Sequence, residues 1–250
     1  LASQLWPLSP NTLQVSYCTM KLTSNPLPFY RCLLMVTLQL RQIKVLPGQS
    51  VVLEDVDWPE FEQILTELGD RRNTRISYTD RTLTIGAPLY AHESFKITLG
   101  DLVKVLLEEL DINYAASGST TLKRQDLGKG AEPDDSFYIQ NCGKVLGKKR
   151  IDLNVDPPPD LAIEIDLTSK TDIEIYEALG VSELWRFDEG ALRIDVLQKR
   201  RYVQTQKSLN FPDWPIADLA VQYIEKANAK GQGHATKEFR KWVRSRLNES

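Results

Sequence analysis

The sequence is poor in cysteine and histidine, has no long apolar run, and carries no acid at all in its first fifty residues. Its three cysteines, Cys18, Cys32 and Cys142, are odd in number, far apart and never in a C-x-x-C pair. That pattern argues against a disulfide framework or a zinc knuckle and makes a reducing cytoplasm the default location. No apolar stretch approaches the ~18 residues needed to cross a bilayer, so no membrane association is expected. His92 and His234 are the only histidines, and neither has a second one nearby to share a metal. The formal net charge is −3. A nearly neutral chain does not coat nucleic acid electrostatically, but a nuclease, whose site must itself be acidic, remains open.

All 34 acids fall within residues 51–250. An acid-poor start is found in transit peptides, yet here its only arginines are Arg31 and Arg41 and it shows no clear amphipathic period. The other reading is that the natural start is Met35, with residues 1–34 upstream of it or forming a tail. The expected organisation is therefore a poorly ordered N-terminal extension over 1–50, a main domain over 51–215 and a C-terminal helical tail over 216–250. With 250 residues, 42% of them hydrophobic, the chain is long enough to bury a full core.

What is present centres on residues 157–170, PPPDLAIEIDLTSK. Behind the prolines the side chains alternate, with Leu161, Ile163, Ile165 and Leu167 on one face and Asp160, Ala162, Glu164 and Asp166 on the other. An aliphatic face of this kind belongs in the middle of a sheet. The opposite face gathers three carboxylates that repel one another and are costly to desolvate, so water or a cation must neutralise them. Asp160, at the entrance, reads as a turn or capping residue.

Around this strand the pattern predicts a helix from Asp57-Trp58-Pro59-Glu60, with Phe61, Ile64, Leu65 and Leu68 on one face and Gly69 as its stop. Two short strands over 75–78 and 82–85 follow, joined by a turn. The longest helix is expected over 93–110 on Phe95, Leu99, Leu102, Leu106 and Leu110. Glu93 lies in its first turn, where the helix dipole favours a carboxylate whatever its function. Three extended segments come next: 112–116 continuing to 120–124, then 132–140, then 160–167. A helix over 171–179, strands over 183–188 and 191–198, and two terminal helices complete the chain. His92 reads as a hydrogen-bonded structural residue, and Tyr176 and Trp185 as core. The Lys144, Lys148, Lys149 and Arg150 cluster and the basic last helix read as solvated faces that could also meet phosphates.

Pro133 opens the second extended segment, as expected of a residue that cannot donate within a ladder. Asp134 then shares a face with Ser136 and Tyr138, and if this strand neighbours the next one, Asp134 and Glu164 approach across it. Two such carboxylates can hold a hard cation, with water and a substrate phosphate as the remaining ligands. Such a cation activates water and stabilises charge on an attacked phosphate. A solvated sheet face would show the same residues.

The order helix–three strands–helix–strand, the Pro133-Asp134 pair and Glu164 together resemble the core of the PD-(D/E)xK nuclease superfamily. Several blocks narrow the likeness to its Uma-type family of restriction endonucleases: Asp57-Trp58, Gly118-Ser119-Thr120-Thr121, Glu132-Pro133-Asp134, Pro158-Pro159-Asp160-Leu161 with Glu164, and Tyr176-Glu177-Ala178-Leu179-Gly180-Val181 before Glu183-Leu184-Trp185. The resemblance implies an α/β, restriction-endonuclease-like core with a mixed central sheet flanked by helices. It also implies an endonuclease that hydrolyses DNA phosphodiester bonds with Mg²⁺ or Mn²⁺, with a homodimer left open. By the same resemblance Asp134 and Glu164 are metal-binding acids and Glu93 an additional acid. The lysine expected two residues after Glu164 is replaced by Asp166, which becomes a candidate third metal ligand. Lys170 or Lys123 is then the candidate to offset phosphate charge and orient the attacking water. The alternative is a catalytically inactive nuclease-fold module that binds nucleic acid or a protein partner.

Overall fold

The structure, a computed structural model, describes residues 13–15, 36–69, 72–167, 170–188 and 190–249. Most of the expected N-terminal extension, Met20 and Met35 included, lies outside the described residues. In chain order the first elements are β1 (Leu13–Val15), β2 (Val36–Leu38), β3 (Ser50–Leu53), α1 (Trp58–Leu68), β4 (Arg75–Thr79), β5 (Thr82–Gly86) and α2 (Tyr90–Glu109). Then come β6 (Ala115–Ala116), β7 (Leu122–Arg124), β8 (Lys129–Ala131), β9 (Asp135–Tyr138), α3 (Cys142–Val145), β10 (Leu161–Ile165) and α4 (Ile173–Leu179). The last are β11 (Glu183–Asp188), β12 (Ala191–Gln198), β13 (Arg201–Thr205), α5 (Ile216–Lys230) and α6 (Gln232–Asn248). By internal packing the chain forms two units, 1–44 with 59–72 and 45–58 with 73–250. In the first unit β1 and β2 pair antiparallel, and α1 buries Phe61 and Ile64.

The larger unit holds two sheets. The main one has the order β13-β12-β11-β10-β9-β6, and β10 and β11 are its only parallel neighbours. A parallel pair needs a crossover, and α4 supplies it. Read along the chain, α2, β6, β9, β10, α4 and β11 give the helix–three strands–helix–strand order of a mixed α/β nuclease core. The strand foreseen at 160–167 is β10, and both of its faces are covered. Leu161, Ile163 and Ile165 pack with Trp185 and Phe187 of β11, Leu99 and Leu106 of α2, Tyr223 of α5 and Phe239 of α6. Ala162 packs on the other side with Leu184, with Ile175 and Tyr176 of α4, and with Leu122 and Ala131 of the second sheet. Each fully buried side chain of this size contributes roughly 1.5–3 kcal/mol, so α5 and α6 are bound into the main core through their apolar faces.

Two expectations change. Leu167 is not on the aliphatic face, because β10 ends at Ile165 and Leu167 is exposed. The extended segment at 112–124 is not one strand. It turns at Gly118, whose φ of +56° favours glycine, so that β6 joins the main sheet and β7 the second.

The second sheet has the order β3-β5-β4-β8-β7 and is antiparallel throughout. Asp80 and Arg81, both at positive φ, form the tight turn between β4 and β5. The chain leaves this sheet for the main one at Glu132-Pro133-Asp134. The Glu132 N–H bonds to the Ile76 carbonyl at 3.0 Å, and the Asp134 N–H bonds to the Ile163 carbonyl at 3.1 Å. Pro133, between them, has no N–H to place. This crossing sets Asp134 at the corner between the sheets.

Candidate active site

Asp135 lies opposite Ile163 and Ser136 opposite Ala162 in the antiparallel register of β9 and β10. The pairing ends there: Asp134, just before β9, places its N–H on the Ile163 carbonyl, and its carboxylate stands beside that of Glu164. Both line a cavity of about 150 Å³ whose other walls come from β4, β5, the first turn of α2 and the start of α4.

Asp134 is 2% exposed. Its Oδ2 accepts the main-chain N–H of Ile165 at 2.8 Å and lies 3.1 Å from His92 Nε2. Its Oδ1 has the Arg75 guanidinium beside it, with Nε at 3.9 Å. Glu164 accepts a hydrogen bond from the Tyr176 hydroxyl. Burial, and after it the charge of Asp134, holds the Glu164 carboxyl well above the ordinary carboxylate range, and the Tyr176 hydrogen bond only partly opposes this. The Tyr176 hydroxyl is itself pushed up, by burial and by Glu164. The pair is therefore two facing, desolvated carboxylates that cannot comfortably carry both charges.

The other sequence-level candidates are placed as follows. Asp166 lines the same cavity, but its Oδ1 takes the Thr171 N–H at 3.0 Å and the Thr171 hydroxyl at 2.6 Å. Burial raises its pKa, while Thr171 and Arg186 oppose the rise. It is not gathered with Asp134 and Glu164 into a three-acid set: among the described residues, no group of three or more His, Cys, Asp or Glu is arranged to hold a metal. Lys170 lines the cavity and is exposed. Lys123 does not line it: β7 is the edge strand of the second sheet, beyond β8, and Lys123 stands opposite Gly130. Glu93 does not line it either. It binds Lys96 Nζ at 2.9 Å and Arg75 Nη2 at 3.4 Å, and so reaches Asp134 only through Arg75.

Sequence reasoning missed Arg75 and passed over His92 and Tyr176 as structural. Tyr176 is buried as core, as expected, but its hydroxyl ends on Glu164. The one available signal for Arg75 was the alternation in β4, where Arg75, Ser77 and Thr79 interleave with the buried Ile76 and Tyr78. That alternation marks a polar face without saying what the face meets.

The residues fit a hard divalent cation. Mg²⁺ is commonly held by one or two protein carboxylates, with water and substrate phosphate completing its shell. Here two facing acids share a desolvated corner, and the strain between them, read in Glu164, is what a cation would relieve.

Comparison with known proteins agrees with this core. The family described as "Uma2: Putative restriction endonuclease" matches residues 58–226. No curated protein matches the sequence. Among solved structures, the chain is similar to a crystal structure described as a putative nuclease belonging to DUF820 from Anabaena variabilis. The two are 15% identical, with a TM-score of 0.44, over 65% of this chain and 92% of that one. With the family match running over more than half of the 250 residues, and through both facing acids, the chain belongs to the Uma2 family of restriction-endonuclease-like proteins.

Proposed function

We propose that the cavity between Asp134 and Glu164 is a Mg²⁺-dependent centre that hydrolyses phosphodiester bonds in DNA. The observation that carries this reading is the close approach of the buried Asp134 and half-buried Glu164 carboxylates, which raises the pKa of Glu164 above its usual range. The family's description as restriction endonucleases supports DNA as the substrate.

In this reading Asp134 and Glu164 hold the metal, and Tyr176 fixes the Glu164 carboxylate through its hydroxyl. When bound, the cation would polarise the phosphate and make a bound water more acidic. Lys170, exposed at the cavity, supplies the positive charge toward the phosphate that Asp166 cannot. Arg75 adds a second positive charge within the cavity, on a guanidinium that Glu93 anchors. Lys123 has no part in this arrangement. No helix among the described residues is long and apolar enough to cross a membrane, and a cytoplasmic enzyme meets both DNA and Mg²⁺.

The test is incubation of the purified protein with supercoiled plasmid and Mg²⁺ or Mn²⁺, alongside Asp134→Ala and Glu164→Ala. Cleavage abolished by either substitution supports the site. Cleavage that survives both sinks it. Direct linearisation, without a nicked intermediate, would report paired copies cutting both strands.

One observation favours a second reading. Asp166 stands two residues after Glu164, where the family pattern expects lysine. The chain would then be a nuclease-fold module that binds without cutting. Asp134-dependent thermal stabilisation by Mn²⁺ separates the two, since only the metal-holding site should show it.

A further inference from the structure

The two carboxylate oxygens of Asp134 are treated differently. Oδ2 accepts the Ile165 N–H at 2.8 Å and has His92 Nε2 beside it at 3.1 Å, the Arg75 guanidinium stands 3.9 Å from Oδ1, and the Glu164 carboxyl reaches the same carboxylate. The Ile165 donor is main chain and comes with β10 whatever its side chains are. The His92 donor is a side-chain choice, delivered from the first turn of α2.

His92 is 9% exposed, and its Nδ1 is buried without a hydrogen-bond partner. The nearest polar partner of the ring is Asp134 Oδ2, 3.1 Å from Nε2. Packing alone does not account for an imidazole here. An apolar side chain would fill the space without leaving a buried nitrogen unpaired, an omission that costs about 1–3 kcal/mol.

We infer that His92 is a positioning residue for the cation site: its Nε2–H, together with the Ile165 N–H, pins Asp134 Oδ2 and leaves Oδ1 as the oxygen offered to a divalent cation. This rests on the metal-binding reading above. A carboxylate with a main-chain N–H bonded to one oxygen and an imidazole against the same oxygen has little freedom about its terminal torsion, so the ligand atom would be in place before the cation arrives. Donors of this kind, behind a ligating carboxylate, set metal affinity without touching the metal. Neither the Uma-type pattern of acids and lysine nor the spacing of the sequence assigns His92 this part.

The test titrates Mn²⁺ into the full chain by calorimetry, comparing wild type, His92→Leu, His92→Gln and Asp134→Ala. Leucine fills the space and donates nothing. Glutamine carries an amide N–H at about the reach of the imidazole Nε2. Mn²⁺ affinity is expected to fall about 10–100-fold in His92→Leu, with the far-UV spectrum retained, and to stay within a few-fold of wild type in His92→Gln. A long-range ¹H–¹⁵N spectrum of the metal-free protein should show the His92 proton on Nε2. If His92→Leu does not fold, His92→Asn, whose amide falls short of the Nε2 position, replaces it and should bind weakly where His92→Gln binds well.

A merely structural histidine would lower the melting temperature and leave Mn²⁺ affinity alone, and that result overturns the inference. So does equal weakness of the glutamine and leucine variants. Unchanged affinity in His92→Leu with affinity lost in Asp134→Ala removes His92 only. Absence of Asp134-dependent Mn²⁺ binding in the wild type removes the metal reading, and the role of His92 with it.

Discussion

The two ends of β10 carry acids in opposite circumstances, one buried and one half-buried. At the entrance Asp160 is 3% exposed and fully served: its carboxylate accepts the Ile139 N–H at 2.7 Å, the Asn141 N–H at 2.9 Å and the Asn141 side-chain amide at 2.6 Å. Near the exit Glu164 receives one hydroxyl, from Tyr176, and faces a second carboxylate. Three donors on one carboxylate, two of them main chain, make a clasp that closes the turn after β9. One donor and a like charge make a site that is incomplete without something else. A buried acid is thus read by what already satisfies it rather than by its burial.

The strongest way to break that contrast is to remove the acids at each end. Asp134→Ala or Glu164→Ala should cut plasmid cleavage by more than the ~100-fold typical of losing a partner behind the ligands; Glu164→Ala should hold its stability, while Asp134→Ala also strands the Ile165 N–H and gives up about 1–3 kcal/mol. Asp160→Ala should do the reverse. It strands two main-chain N–H groups and an amide, each costing about 1–3 kcal/mol, so its urea midpoint should fall sharply while the cleavage rate per folded molecule holds. Cleavage lost in Asp160→Ala at unchanged stability would erase the distinction.

A smaller effect sharpens it through pH. The folded value of Glu164 lies above its ordinary 4.5, because burial and Asp134 disfavour the charged form. The folded state therefore holds a proton that the unfolded chain gives up. This contribution to stability is fully present below 4.5 and is lost as pH rises through the raised folded value. Glu164→Gln keeps an acceptor for Tyr176 and never ionises. It should melt higher than wild type at neutral pH, and the two melting curves should converge as pH falls toward 4.5. For the same reason Mn²⁺ binding by the wild type should weaken on acidification, since proton and cation compete for one carboxylate. A constant difference in melting temperature across pH would remove the proton from Glu164.

Much of this was legible in the sequence. The alternation around Ile163 gives β10, and the apolar face of 93–110 gives most of α2. The Pro133-Asp134 pair, thirty residues before Glu164, gives the facing acids once β9 and β10 are neighbours. What could not be read was anything set by the second sheet. The turn at Gly118 that sends β7 away from β6, and with it Lys123 away from the cavity, depends on one glycine's backbone angle. Arg75 enters the site because β4 pairs with β8, the strand just before the crossing to β9. That pairing joins residues some fifty positions apart, and nothing in either strand announces it. His92 was visible as a residue, but a lone histidine carries no spacing signal. Only the fold shows which nitrogen is used.

Asp166 lies between the two extremes, and the smallest prediction concerns it. Its Oδ1 takes both the main-chain N–H and the hydroxyl of Thr171, yet burial still raises its pKa and it lines the cavity with Glu164. Thr171→Val keeps the main-chain donor and the shape of the side chain and removes the hydroxyl. If Asp166 belongs with Asp160, as an acid whose donors hold the chain together, the variant loses one hydrogen bond. Its stability should fall by about 1 kcal/mol, read as a small shift of the urea midpoint at unchanged slope, with Mn²⁺ affinity unaltered. If Asp166 belongs with Glu164, releasing an oxygen from Thr171 frees it toward the cation, and Mn²⁺ should bind more tightly in the variant. Two donors on one oxygen favour the first outcome. The contrast would then divide between Glu164 in β10 and Asp166 just past its end, two residues apart.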